Sequence, residues 1–274
     1  MKEQVELLGT YEKIPKILTL SAIPTSSELE YISAEDIDKI LLDKILPEAI
    51  EEKIDPWQLL EIDYQWITRC LRIINYGPYF TTNRIYCNAC GEISEGEYRV
   101  SLNSVECKPL PIGFKNEVKI SREEFIDFNS DITLKLLTIK EAYTAKHDKA
   151  FQYSNGTPNE EMARLCYSIT SFGTNTNLTP LDVKYQITKE LSAADYLILK
   201  EKARELMDYG LRAGGMTTCP KCGTEGTGGF FALSDVRFFQ PTVGDLKQWK
   251  HDRSQRKDKD LPSDTPRIIR ANSR

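Results

Sequence analysis

Histidine is almost missing from this chain: 274 residues contain two, His147 and His251. Imidazole is the side chain that titrates near neutrality, so general-base capacity is small and nitrogen ligands for a metal are scarce. No run of 18 apolar residues occurs, which argues against a membrane-spanning helix. The opening MKEQVELLGTYEKIPK has no apolar core of the signal-peptide kind, and the expectation is a soluble chain made in the cytosol. Catalytic and phosphate-binding signatures are missing too. There is no G-x-x-x-x-G-K-[ST], no G-x-G-x-x-G after a strand, no H-E-x-x-H and no G-x-S-x-G. The Gly-rich GTEGTGG at 223–229 is not framed by a strand feeding a helix, so it reads as a flexible turn rather than a phosphate cradle. His147 reads as solvated on a charged helix face. No enzyme is expected.

Positive charge is in deficit. Lys and Arg number 36 against 41 Asp and Glu, for a net charge of −5, which argues against a nucleic-acid partner bound by charge alone. Residues 247–274 run against this balance, with nine Lys or Arg and four Asp, leaving 27 basic and 37 acidic residues elsewhere. This basic extension reads either as solvated chain or as an arm that orders on an acidic partner surface. With 40% hydrophobic residues the 274-residue chain can bury a large core, roughly three quarters of the surface an unfolded chain of this size exposes.

Cysteine is what the sequence has in pattern. Of seven, four form two pairs, Cys87-Asn-Ala-Cys90-Gly91 and Cys219-Pro-Lys-Cys222-Gly223. A C-x-x-C turn presents two thiolates to one metal, and the glycine after it accommodates the tight backbone beside the sulfurs. Two such turns complete a tetrahedral four-thiolate site with no open position, which is structural rather than catalytic chemistry. The separation is unusual, with 128 residues between Cys90 and Cys219 where an ordinary zinc ribbon has about fifteen to twenty. A shared site therefore requires the intervening chain to be an insertion. Two alternatives stay open, a thioredoxin-like redox motif and separate sites completed by other ligands such as Cys107. The scarcity of histidine favours one shared Zn2+ at Cys87, Cys90, Cys219 and Cys222. Cys70 in WITRCLRII and Cys166 in ARLCYSI read as core residues on helices.

The pattern predicts an α+β chain, with helices packed with short antiparallel β segments around the knuckle pair. KIPKILTLSAI reads as extended and broken at Pro24. Ser33-Ala-Glu-Asp36 resembles a helix start, and Pro47 ends that helix and opens a short successor. Asp55-Pro56 should cap a long core helix that runs to Tyr76 and stops at Gly77. Residues 79–120 alternate as β, ITLKL at 132–136 leads a strand into a helix, and 159–172 reads as a second helix. Another helix starts at Ser192-Ala-Ala-Asp195, and β runs follow the second knuckle. The aromatic stretches NYGPYF and FFQPT are candidate contact loops. Asp63-Tyr64 on a helix ending Tyr76-Gly77 and Asp195-Tyr196 on a helix ending Tyr209-Gly210 each precede a knuckle. Residues 1–246 thus read as one zinc-containing domain, either whole or as two related helix-knuckle halves, about 30–120 and 121–246.

The order of D-P-W-Q-L-L-E-I-D-Y, R-x-I-N-Y-G-P-Y-F and C-N-A-C-G, with the later C-x-x-C, resembles the T-even-like phage baseplate hub proteins over about residues 14–240. In that family the positions of Asp63 and Arg72 lie on the helix that leads to the first C-x-x-C-G. The resemblance implies a non-enzymatic structural or assembly component of a contractile-tail baseplate hub, with hub, tail-tube or wedge proteins as partners and no membrane. It implies a place in the host cytoplasm during assembly and in the virion tail if retained. The rival is a zinc-ribbon adaptor in a nucleic-acid complex, with the basic extension supplying phosphate contacts.

Overall fold

The computed structural model describes residues 2–87, 89–105, 107–211, 215–229, 242, 244, 246–247, 250–251 and 268–269. The β runs expected from 230 onward, including FFQPT up to Pro241, and most of the 247–274 extension lie outside the described residues. In chain order the elements are β1 (Lys2–Glu6), β2 (Ile17–Ser21), α1 (Thr25–Ser33), α2 (Ile37–Ile40), α3 (Leu46–Ala49), α4 (Glu61–Tyr76), β3 (Tyr79–Tyr86) and β4 (Ile93–Ser101). There follow β5 (Cys107–Lys108), β6 (Glu117–Ile120), β7 (Ile132–Lys135), α5 (Ile139–His147), α6 (Glu160–Ser168) and β8 (Ile169–Phe172). The rest are α7 (Pro180–Glu190), α8 (Ala193–Met207), β9 (Gly210–Leu211), β10 (Gly215–Thr218), β11 (Glu225–Gly229) and β12 (Ile268–Ile269). Helices with short antiparallel strands make this an α+β arrangement. Among the described residues no helix is long and apolar enough to cross a membrane.

The chain divides into two compact units. Unit 1 holds residues 1–56, 65–108 and 211–274, and unit 2 holds 57–64 and 109–210. The chain between the two C-x-x-C pairs therefore contains most of a second unit, and both pairs belong to the first.

In unit 1, β1 and β2 pair antiparallel from Lys2↔Ser21 to Glu6↔Ile17, burying Val5, Leu18 and Leu20, and β12 adds to β1. The helix start expected at 33–36 is half right in position. Asp36 is the cap, its side chain accepting from Lys39 N–H, whereas Ser33 closes α1, a helix the sequence pattern did not reveal. A π-helical turn, Leu41–Ile45, then joins α2 to α3 and turns Leu41, Leu42, Ile45 and Leu46 inward.

Residues 65–76 of α4 carry a large part of this core. Trp66, Ile67, Cys70, Leu71 and Ile74 are buried, and Trp66 Nε1 donates to the Glu6 carbonyl at 3.2 Å. Two arginines are buried with them. Arg72 donates to the Gly77 and Tyr79 carbonyls at 2.8 and 2.6 Å and lies over the Tyr76 ring, so it fastens the Tyr76-Gly77 stop just beyond its own helix. Arg69 forks onto the Leu102 carbonyl at 2.9 and 2.7 Å, with its guanidinium over Trp66. Burial draws Arg69 below the ordinary arginine value. The stretch expected as an exposed loop, NYGPYF, is not exposed: Gly77, Pro78 and Phe80 are buried and Asn75, Tyr76 and Tyr79 half-buried, because Arg72 ties it to the helix and Phe80 belongs to β3.

That barrel closes from four strands in the order β10-β11-β3-β4. β3 pairs with β4 from Tyr79↔Ser101 to Tyr86↔Ile93, β11 pairs with β3 through Gly228↔Tyr86, and β10 pairs with β4 through Met216↔Ser101. On β3 and β4, Phe80, Thr82, Ile85 and Val100 are buried. The 225–229 part of GTEGTGG is strand β11 rather than a flexible turn, paired on one side with β10 and on the other with β3. Pairing on both edges satisfies its backbone, and a glycine strand permits close approach of its neighbours.

Unit 2 packs α5–α8 with the antiparallel sheet β6-β7-β8. The helix expected from Asp55-Pro56 begins only at Glu61. Pro56–Gln58 forms only a single 3-10 turn; Ile139 N–H donates to the Leu59 carbonyl at 2.8 Å and Glu61 N–H to the Leu137 carbonyl at 3.0 Å, so Leu60 is held in a β-bridge to Thr138 and the α-helix starts after it. The helix expected over 159–172 stops at Ser168, and Ile169–Phe172 leaves it as β8 to pair with β7. Reciprocal caps start α5 (Thr138 and Glu141) and α7 (Thr179 and Asp182). Arg164 and Glu61 form a two-pronged ion pair.

The strongest polar tie in unit 2 is Asp195, fully buried in the first turn of α8. Its carboxylate accepts from Ile126 N–H at 2.6 Å, Asp127 N–H at 3.2 Å, Phe128 N–H at 3.0 Å and the Ser192 hydroxyl at 2.9 Å. Burial opposes ionisation, but these four bonds more than offset it, and Asp195 sits below the ordinary carboxylate value.

Candidate metal centre

The two C-x-x-C sequences are the tips of two hairpins of the barrel, β3 to β4 and β10 to β11. Each tip repeats one hydrogen-bond scheme. Cys87 N–H donates to the Glu92 carbonyl and Gly91 N–H to the Cys87 carbonyl, both at 2.9 Å. Cys219 N–H donates to the Thr224 carbonyl and Gly223 N–H to the Cys219 carbonyl, again at 2.9 Å. Gly91 and Gly223 have φ of +69° and +71°, the left-handed conformation in which a side chain is strained, so the glycine of each C-x-x-C-G is required by backbone shape.

Cross-pairing of the hairpins brings the tips together. Cys87 Sγ lies 3.6 Å from Cys222 Sγ and Cys90 Sγ lies 3.9 Å from Cys219 Sγ, and all four sulfurs fall within 4.8 Å of one another. Metal–sulfur bonds of about 2.3 Å in a tetrahedron require sulfurs about 3.8 Å apart, so the four fit around one ion. None is in a disulfide. Cys87 and Cys219, the first of each pair, are buried; Cys90 and Cys222 are exposed. The thiols respond to one another: hydrogen bonding from the hydroxyl and backbone of Thr224 draws Cys222 below the ordinary thiol value. Cys90 goes the other way. A backbone hydrogen bond at Glu92 favours its thiolate, yet desolvation and the three neighbouring sulfurs outweigh that and push it up to about 12. Four ionised sulfurs at this spacing need a cation between them.

All four cysteines singled out in the sequence are thus brought together, and Cys107 is not among them. Cys70 and Cys166 are buried on α4 and α6, where burial pushes each thiol up to about 12 and leaves it inert. Exposed His147 donates from Nδ1–H to the Tyr143 carbonyl of its own helix at 2.8 Å. Asp63 and Arg72, two positions that carry the family resemblance, are fully buried and belong to the core. Sequence reasoning missed the side chains that surround the sulfurs. Lys221 and Glu92 form an ion pair between the tips, and Thr224 Oγ1 lies 3.1 Å from Cys222 Sγ. Thr224, next after the C-x-x-C-G, could have been found by its place. The Lys221–Glu92 pair, 129 residues apart, carried no local signal. No family model, curated protein or solved structure matches the chain.

Proposed function

We propose that Cys87, Cys90, Cys219 and Cys222 hold one structural Zn2+, and that the chain is a non-enzymatic scaffold in the hub of a contractile phage tail baseplate. The closure of the four-sulfur group carries the first part. Four protein ligands fill a tetrahedral ion and leave no position for substrate or water, so the metal would hold the barrel shut and supply no Lewis-acid step. An all-sulfur tetrahedron suits zinc or iron, and zinc is the choice for a site whose task is to join two hairpins without redox chemistry. The second part rests on the ordered motifs from Asp55 to Gly91 and the later C-x-x-C, which resemble the T-even-like hub proteins. Exposed apolar side chains offer contact surface for partner subunits: Tyr86 and Ile93 beside the first knuckle, and Leu181 and Tyr185 one turn apart on α7.

The test is recovery of the tagged full chain from cells producing contractile tails, with nuclease treatment, followed by mass spectrometry. Co-purification with hub, tail-tube or wedge proteins in a fixed ratio is the expected result. Association that disappears with nuclease, alongside recovered nucleic acid, would overturn it in favour of a zinc-ribbon adaptor.

A further inference from the structure

We infer that Lys221 and Glu92 form a positioning clasp across the two knuckles that slows loss of the bound cation. The inference rests on the reading of the four cysteines as a metal site and assigns that site its second layer. Lys221 stands between the cysteines of the second knuckle, and Glu92 directly follows the glycine of the first. Lys221 Nζ reaches Glu92 Oε2 at 2.5 Å. The same Glu92 presents its main-chain carbonyl to the N–H of buried Cys87 at 2.9 Å. One residue therefore fixes a ligand through its backbone and grips the opposite knuckle through its side chain.

The two knuckles differ at both of these places, as well as at Asn88 against Pro220. Position for position, Ala89 stands where the second knuckle has Lys221, and Thr224 where the first has Glu92. The reciprocal pair would be alanine with threonine, so the clasp can form only once. Thr224 lies instead against the sulfur of its own Cys222. Charge gives the clasp a second effect. Four thiolates around a divalent ion leave the site at −2, and Lys221 is near enough to interact with Cys90 and Cys219. With Lys221 removed, Glu92 adds its own negative charge beside that excess.

Side chains behind metal ligands commonly change affinity about 10- to 100-fold when removed, but an exposed ion pair is screened and contributes about fivefold or less. Lys221 and Glu92 are 61% and 37% exposed, which places the expected effect at about two- to fivefold. The experiment loads the full chain with Zn2+ and follows its transfer to excess chromophoric chelator. Lys221→Met should release zinc about two- to fivefold faster, Lys221→Arg near the wild-type rate, and Glu92→Gln in between. Lys221→Met combined with Glu92→Gln should be no faster than Lys221→Met alone, because the two changes break one interaction. Raised salt should shrink the difference. If Lys221→Met is poorly folded, the charge swap Lys221→Glu with Glu92→Lys should restore the slow rate that Lys221→Glu alone loses. Cobalt spectra showing the same tetrahedral thiolate signature in every variant would place the effect outside the ligands themselves. Equal release rates from zinc-loaded wild type and Lys221→Met overturn the clasp alone; a wild-type chain that takes up no metal overturns the site and the clasp with it.

Discussion

The β-barrel of unit 1 and the helical layer of unit 2 are held by opposite means. The barrel is built from two hairpins far apart in sequence, and one of its strands, Glu225–Gly229, is three-fifths glycine. Strand pairing closes it, and four sulfurs gathered at one end are where the proposed metal would fasten the two hairpins. Unit 2 is closed by polar ties: local reciprocal caps on α5 and α7, and two contacts between segments distant in sequence, the Arg164–Glu61 pair and the Asp195 carboxylate over the 126–128 backbone. A strand that is mostly glycine contributes little side-chain burial, so a metal cross-link at the proposed site would add what packing does not. A helical layer with well-formed ends does not need one. The two regions should therefore fail under different treatments.

The largest effect should come from the metal. A four-thiolate zinc contributes about 10 kcal/mol or more to the fold it organises. Chelation, or Cys219→Ser, should abolish amide protection in 79–101 and 215–229 while the amides of α5–α8 remain protected, as read by hydrogen exchange. Loss of protection across both units together would break the comparison.

Asp195→Ala should do the converse. It leaves three backbone donors facing a buried carboxylate that is gone, at about 3–5 kcal/mol, and metal content should not change. Acid sharpens this. Because the folded value of Asp195 is lowered, its contribution is present above the unfolded value of about 3.9 and is lost as pH falls below it. As pH falls below about 4, the wild type should show a steeper fall in the stability of unit 2 than Asp195→Asn does.

A smaller loss is expected from Gly210→Ala. The added methyl would meet Ile62 Cβ and Cγ2 at 2.9 Å, at a residue whose φ is +90°, and about 2–3 kcal/mol is the expected cost in thermal unfolding. Smallest is Thr138→Ala, which removes the cap of α5 at about 1 kcal/mol and should leave zinc release unchanged.

Legibility in the sequence followed the range of the interaction. The C-x-x-C-G turns could be read because ligand spacing and the glycine requirement both act within five residues. That the pairs meet across 128 residues was reached from ligand scarcity, since two histidines cannot complete two sites. The α8 start at Ser192 was visible for the same local reason. α7 was overlooked although Thr179-Pro180 with Asp182 is a helix-start signal, because its buried stripe is only Val183 and Ile187. The true start of α4 could not be read, because the pairing of Leu59 and Glu61 with 137–139 lies some eighty residues away. Nor could the tie between Asp195 and 126–128, where a capping aspartate doubles as acceptor for a distant loop.

The most direct measurement is the metal content of the purified full chain by elemental analysis and native mass spectrometry, with Cys219→Ser alongside. One zinc per chain, absent from the variant, is the expected result. A folded chain with no metal and four freely alkylated thiols at Cys87, Cys90, Cys219 and Cys222, or zinc retained by Cys219→Ser, would contradict it.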